Sequence, residues 1–161
     1  MSQLGVLTQT TLLSATTGTM PGFLLSVWQK KLILPSTSVL EVLPGSRLQS
    51  GKKKKSGLLG MIAWQDGTIP VVSFEVFNGA SNPVEPQKIA VFHAVSISDK
   101  YPQYGVALQS DPESVKIKIS ELEDLEKAVV GPMEFMQVRY KGELAVIPDL
   151  DAIESKLLSL M

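Results

Sequence analysis

The sequence predicts a mainly β protein whose antiparallel strands close into small barrels or stack as a sandwich, and three observations carry that expectation. Apolar residues come in short runs, several of them strictly alternating: Ile69, Val71, Ser73 against Val72, Phe74, Val76, and Ile89, Val91, His93, Val95 against Ala90, Phe92, Ala94. Gly, Pro, Asn and Asp punctuate the chain between those runs. Helical periodicity appears in only two short segments, which excludes the regular strand-helix alternation of a parallel α/β fold. At 161 residues, 44% hydrophobic and 19% charged, the chain can bury one core without a disulfide or a structural metal.

Residues 1–22 read as a flexible polar arm closing on Thr19, Met20, Pro21 and Gly22, so the domain proper is expected over residues 23–161. Phe23 to Trp28 and Leu32 to Leu34 form a hairpin around Gln29, Lys30 and Lys31, and Ser36 to Leu43 is a short strand stopped by Pro44 and Gly45. Gly45 to Gly57 has too few apolar residues for an element of its own and reads as an exposed loop. Leu58 to Trp64 and Ile69 to Phe77 make the strongest hairpin, across Gln65, Asp66 and Gly67.

Asn78 to Gln87 is irregular, after which Ile89 to Val95, Tyr104 to Gln109 and Val115 to Ile119 are strands, the last two flanking Asp111-Pro112. Ser120 begins a short helix with Glu123 at the capping-box position and Leu122, Leu125 and Val129 as its buried stripe. Gly131 and Pro132 end it. Phe135 to Tyr140 and Leu144 to Ile147 flank a turn at Lys141-Gly142, and Pro148-Asp149 opens a last helix with Leu150, Ile153 and Leu157 on one face. Phe23, Val27, Lys31, Leu32, Leu34, Pro35 is echoed by Phe135, Val138, Lys141, Leu144, Ile147, Pro148, a spacing that suits two related barrels.

Catalytic chemistry finds little to work with. Cysteine is absent, which excludes disulfides, thiolate nucleophiles and Cys-based metal sites. His93 is the one histidine, and its strand register makes it a barrel-wall residue with locally satisfied nitrogens. The acidic groups Glu121, Glu123, Asp124, Glu126 and Asp149, Asp151 fall in the first turns of the two predicted helices, where acids cap free N–H groups. Phosphate-loop, dinucleotide, zincin, nucleophile-elbow and EF-hand patterns do not occur. No catalytic residue, metal or cofactor is assigned, and the expectation is a binding protein rather than an enzyme. The reading kept beside it is a small-ligand or enzymatic β-barrel centred on His93.

Fifteen basic and sixteen acidic residues give a net charge of −1, so no global field favours nucleic acid. Lys52, Lys53, Lys54 and Lys55 form a basic run without interleaved aromatics, which reads as a solvated loop. No stretch is apolar enough to insert in a membrane and no export signal is visible, so a cytoplasmic location is expected. Exposed strand edges allow a weak homodimer.

The run from Gly60 to Glu75, Gly-Met-Ile-Ala-Trp-Gln-Asp-Gly-Thr-Ile-Pro-Val-Val-Ser-Phe-Glu, resembles the core hairpin of CheW-like domains. Leu32-Ile33-Leu34-Pro35 followed by Val39-Leu40-Glu41-Val42, the strands over residues 104–119, and residues 131–158 are similar to further segments of that family in the same order. Trp64 and Ser73-Phe74-Glu75 bring the likeness nearest to the ChpC-type and PilI-type members of twitching and type IV pilus signalling. The resemblance implies two small five-stranded β-barrels packed together with short helices. It also implies a non-enzymatic adaptor in chemotaxis signal transduction, whose partners are the regulatory domain of a CheA-type histidine kinase and the cytoplasmic tip of a methyl-accepting chemoreceptor. Carried across by position, the family's contact residues fall on Val39, Glu41, Gly60, Trp64, Gln65, Asp66 and Gly67. The departure is at the turn, where the family's Arg-Gly is replaced by Gln65-Asp66-Gly67, one residue longer and without the guanidinium's planar fork of donors.

Overall fold

A computed structural model describes residues 19–161. Its strands are β1 (Met20–Val27), β2 (Lys30–Pro35), β3 (Val39–Pro44), β4 (Gln49–Ser50), β5 (Leu58–Trp64), β6 (Gly67–Val72), β7 (Lys88–His93), β8 (Gln103–Leu108), β9 (Glu113–Ile117), β10 (Leu122–Asp124), β11 (Glu134–Tyr140) and β12 (Glu143–Pro148). Two α-helices join them, α1 (Phe74–Phe77) and α2 (Leu150–Leu160). One sheet runs β10-β11-β12-β2-β1-β9 and the other β3-β7-β8-β6-β5-β4. Each therefore has five longer strands and one short edge strand, β10 with 3 residues or β4 with 2.

Strand alternation builds three cores from two sheets. In the first sheet Met20, Leu24, Ile33, Ala145 and Ile147 face inward on one another with Ile117, Val138 and Tyr140. In the second sheet Leu43, Leu59, Ile62, Ile69, Val71, Ile89, Val91 and Ala107 do the same. The intervening residues Leu25, Leu32, Leu34 and Val146 of the first sheet meet Val72, Ala90, Phe92, Tyr104, Val106 and Leu108 of the second, with Leu150, Ile153 and Leu157 of α2 packed among them. Strands β1, β2, β6, β7, β8 and β12 each show one parity to their own barrel and the other to its neighbour. Fully buried Leu or Phe side chains here contribute roughly 2 kcal/mol each. This is the mainly β architecture of two small packed barrels with short helices that the sequence predicts.

The chain enters the first barrel through β1 and β2, builds the second with β3 to β8, and returns to the first with β9 to β12. Strand β2 meets β12 in parallel at Val146 and Leu32, and β6 meets β8 in parallel at Val71 with Gly105 and Val72 with Val106. The echo between residues 23–35 and 135–148 therefore does not mark two related barrels. Its two hairpins are neighbours in one sheet.

Several boundaries differ from expectation. Strand β1 starts at Met20, three residues before Phe23, because Met20, Pro21 and Gly22 pair with Ile117, Lys116 and Val115. The rest of the expected arm, up to residue 18, lies outside the described residues. The strand expected to continue to Phe77 ends at Val72. The Ser73 hydroxyl there accepts the Val76 N–H at 3.2 Å and caps α1 instead. The loop over residues 45–57 contains β4, which pairs Gln49 with Met61 and Ser50 with Gly60.

The helix expected from Ser120 shrinks to a single 3-10 turn, Ile119–Glu121. Leu122, Glu123 and Asp124 pair with Tyr140, Arg139 and Val138 as an edge strand, and Val129, expected to be buried, is 92% exposed. Sheet pairing outweighed the capping signal there. The strands over residues 104–119 do not pair with each other, since β8 lies in the second sheet and β9 in the first. The last helix forms as expected, with the Asp149 carboxylate accepting the Ala152 N–H at 3.0 Å.

Among the described residues three acids are buried, Glu75, Glu134 and Glu154. Glu134, at the head of β11, is 4% exposed and is held by the Lys30 ammonium, the Asn78 amide at 2.6 Å and the Gln137 amide at 2.8 Å. Burial opposes its charge, but the Gln137, Lys30 and Asn78 donors outweigh burial and hold its pKa at about 2. Glu75 of α1 is 5% exposed, the Trp28 N–H lies 3.5 Å from its Oε2, and among the described residues Oε1 has no hydrogen-bond partner. Burial pushes its pKa up.

Candidate protein-interaction surface

The hairpin β5–β6 closes at the end of the second barrel in a tight turn. Trp64 pairs with Gly67, so the turn is the two residues Gln65-Asp66, and Gln65 adopts a left-handed φ of 52°. Gly67 is a strand residue outside the left-handed region, and a Cβ on it would meet nothing within 4 Å. The turn is thus tighter than the three-residue reading, and Gln65 rather than Gly67 carries its unusual backbone. Gln65, Asp66 and Gly67 are all exposed.

Trp64 is half-buried over the core of the second barrel, and its indole N–H donates to Glu41 Oε1 at 2.9 Å. Glu41 lies on β3 and Trp64 on β5, near opposite edges of the sheet, so the bond spans the barrel mouth. A bulge between Val39 and Glu41 breaks the usual rule that residues two apart share a strand face. Val39 packs against the core between the barrels while Glu41 reaches Trp64. Gly60 has a φ of 152°, and a Cβ there would run into the Gln49 carbonyl of β4. Its glycine is required by the close approach of β4 to β5.

The structure therefore brings Glu41, Trp64, Gln65, Asp66 and Gly67 together on one exposed end of the second barrel, and leaves Val39 and Gly60 in supporting positions. A groove of about 420 Å³ runs beside them, lined by residues 64–70 on one side and by Lys100, Tyr101, Pro102 and Gln103 on the other. That second wall was not expected from the sequence, since nothing in residues 96–103 suggests which strand it folds back upon.

His93 ends β7 opposite Gln103 and is exposed, not enclosed in the barrel wall. It lines neither this groove nor the one of about 390 Å³ between the β1–β2 turn and β12. A base needs a partner and a pocket, and among the described residues His93 makes no hydrogen bond to a carboxylate. No group of three His, Cys, Asp or Glu side chains is placed to hold a metal among the described residues. In the lysine run, Lys53 donates to the Leu160 carbonyl at the end of α2 at 3.2 Å and Lys54 lies 3.8 Å from Glu85. No helix among the described residues is long and apolar enough to cross a membrane.

The model of the CheW-like domain family matches residues 21–157, a span that takes in both barrels. The chain belongs to the CheW-like domain family. Among solved structures it is similar to the scaffolding protein TtCheW from Thermoanaerobacter tengcongensis, with a TM-score of 0.66 at 13% sequence identity over 82% of this chain and 85% of that one. At that identity the likeness is one of fold. A comparison with curated proteins returns no significant match. In this CheW-like chain the candidate surface is the end of the second barrel, built from the β5–β6 turn, Glu41 and the wall over residues 100–103.

Proposed function

We propose that this CheW-like chain is a non-enzymatic adaptor of a chemosensory pathway, joining the regulatory domain of a CheA-type histidine kinase to the cytoplasmic tip of a methyl-accepting chemoreceptor. The family match across both barrels carries the reading. Its geometry suits the role. Glu41, Trp64, Gln65, Asp66 and Gly67 form an exposed patch with a half-buried aromatic at its centre, the kind of anchor that dominates protein interfaces. The ChpC-type and PilI-type likeness of Trp64 and Ser73-Phe74-Glu75 extends the proposal to a pathway of twitching and type IV pilus signalling in the cytoplasm.

Two features set the character of the contact. The turn offers an amide and a carboxylate at Gln65 and Asp66 instead of a guanidinium, so it suits a partner presenting donors. Gly67 leaves open space where a partner backbone can approach closely. Titration calorimetry of the full chain with each partner tests the proposal. We expect binding to at least one, weakened at least tenfold by Gly67→Arg with an unchanged circular dichroism spectrum. A folded wild-type chain that binds neither overturns it.

A further inference from the structure

A groove wall made of loop holds its shape only where its backbone is tied down. Residues 94–102 are closed at the base by the Ala94 N–H donating to the Pro102 carbonyl at 3.0 Å. Their principal tie comes from Glu154 of α2, which is fully buried. Its Oε1 accepts the Ser96 N–H at 2.7 Å, the Ser96 hydroxyl at 3.0 Å and the Ile97 N–H at 3.3 Å. The Val95 N–H reaches both carboxylate oxygens, at 2.9 and 3.0 Å, and the Tyr104 hydroxyl donates to Oε2 at 2.9 Å. Three successive backbone N–H groups and two hydroxyls thus converge on one acid, with charge-assisted bonds that are stronger than neutral ones.

Both ends of this arrangement lead to the groove. The Ile97 carbonyl accepts the N–H groups of Lys100 at 3.0 Å and Tyr101 at 2.8 Å, two residues of the wall. Tyr104 follows Gln103, a third. Burial and the Glu154 charge push the Tyr104 phenol well above its ordinary pKa, so it remains a donor. Apolar packing alone does not call for an acid here, since α2 already presents Leu150, Ile153 and Leu157 to the core; the acid answers the donors of residues 95–97 and Tyr104, which an apolar side chain would leave unpaired.

We propose that Glu154 is the positioning residue of the groove: it fixes the backbone of residues 95–97 and through it the wall over residues 100–103, and so sets how tightly the surface holds its partner. The last clause rests on the adaptor reading; the tethering of the loop does not.

Hydrogen exchange on the full chain, residue by residue, tests the tether, with Glu154→Gln compared against Leu157→Ala, a cavity on the same helix that touches none of these bonds. In Glu154→Gln the amides of Val95, Ser96, Ile97, Lys100 and Tyr101 are expected to exchange at least tenfold faster, with β5 and β6 unchanged. Leu157→Ala should loosen the fold without that focus. Tyr104→Phe, which removes one donor and keeps the acid, should give a smaller effect at the same amides, and it decides the matter if Glu154→Gln does not fold. Unchanged protection at residues 95–97, or equal loosening by Leu157→Ala, overturns the tether. Affinity for whichever of the CheA-type regulatory domain and the receptor tip the wild-type chain binds, measured by calorimetry, should fall at least tenfold more in Glu154→Gln than in Leu157→Ala. An equal affinity in the two variants overturns the positioning role, whereas a wild-type chain that binds neither partner overturns the adaptor reading and leaves the exchange result to judge the tether.

Discussion

Asp66 and Glu154 are both acids of the same small domain, yet Asp66 stands in water at the tip of the β5–β6 turn while Glu154 is sealed beneath α2 among five donors. The first can be exchanged at little cost to the fold because bulk solvent satisfies whatever replaces it. The second cannot, because its removal takes the acceptor from five donors, two of which, the Ile97 N–H and the Tyr104 hydroxyl, bond it in a buried position. The end of the second barrel is therefore free to diverge in its contacts, while the junction beneath it is fixed by a few polar residues drawn from distant parts of the chain.

Glu154→Ala should be the most damaging change in this comparison. It leaves the donors of Val95, Ser96, Ile97 and Tyr104 without their acceptor, and a loss of about 4 kcal/mol in urea unfolding is expected. A loss below about 1 kcal/mol would erase the contrast with Asp66.

Glu134 sharpens the same point through pH. Its folded pKa of about 2 lies below the ordinary 4.5, so the group adds stability above the unfolded value and loses it as pH falls through the folded one. The contribution amounts to roughly 3 kcal/mol. Acid titration of unfolding should show that loss between about pH 5 and pH 2, and Glu134→Gln should flatten it.

Glu75 has the opposite sign. Its pKa is raised by burial, so the folded state takes up its proton more readily than the unfolded chain and the group costs stability at neutral pH. Glu75→Gln should leave a neutral acceptor for the Trp28 N–H and raise stability by about 1 kcal/mol at pH 7, a gain that shrinks as acid protonates the wild-type group. The smallest effect belongs to the turn: Asp66→Lys should change unfolding free energy by less than about 0.5 kcal/mol.

What the sequence disclosed follows the same division. Alternation placed Ile89, Val91 and Ile69, Val71 in one barrel core, and Leu150, Ile153 and Leu157 against the junction, because local periodicity reports which face is buried. The hairpin carrying Trp64 to Gly67 was also visible, since its residues are contiguous. The wall at Lys100 to Gln103 was not, because it is brought to the hairpin by pairing between β6 and β8. Residues 120–129 misled because a capping-box pattern is local while the pairing of β10 with β11 is not. Glu154 left one overlooked signal: with Leu150, Ile153 and Leu157 it completes the buried stripe of α2, and an acid in such a stripe announces a buried partner. Glu134 left none, since Lys30, Asn78 and Gln137 come together only in the fold.

The central claim is that partners bind the end of the second barrel, and amide shift mapping of the labelled chain titrated with the CheA-type regulatory domain and the receptor tip in turn tests it most directly. The account predicts that the largest changes caused by at least one partner fall on the Trp64 indole, Gln65, Asp66, Gly67 and the amides of Lys100, Tyr101 and Gln103. Changes confined to the first barrel, around the β1–β2 turn and β12, would contradict it.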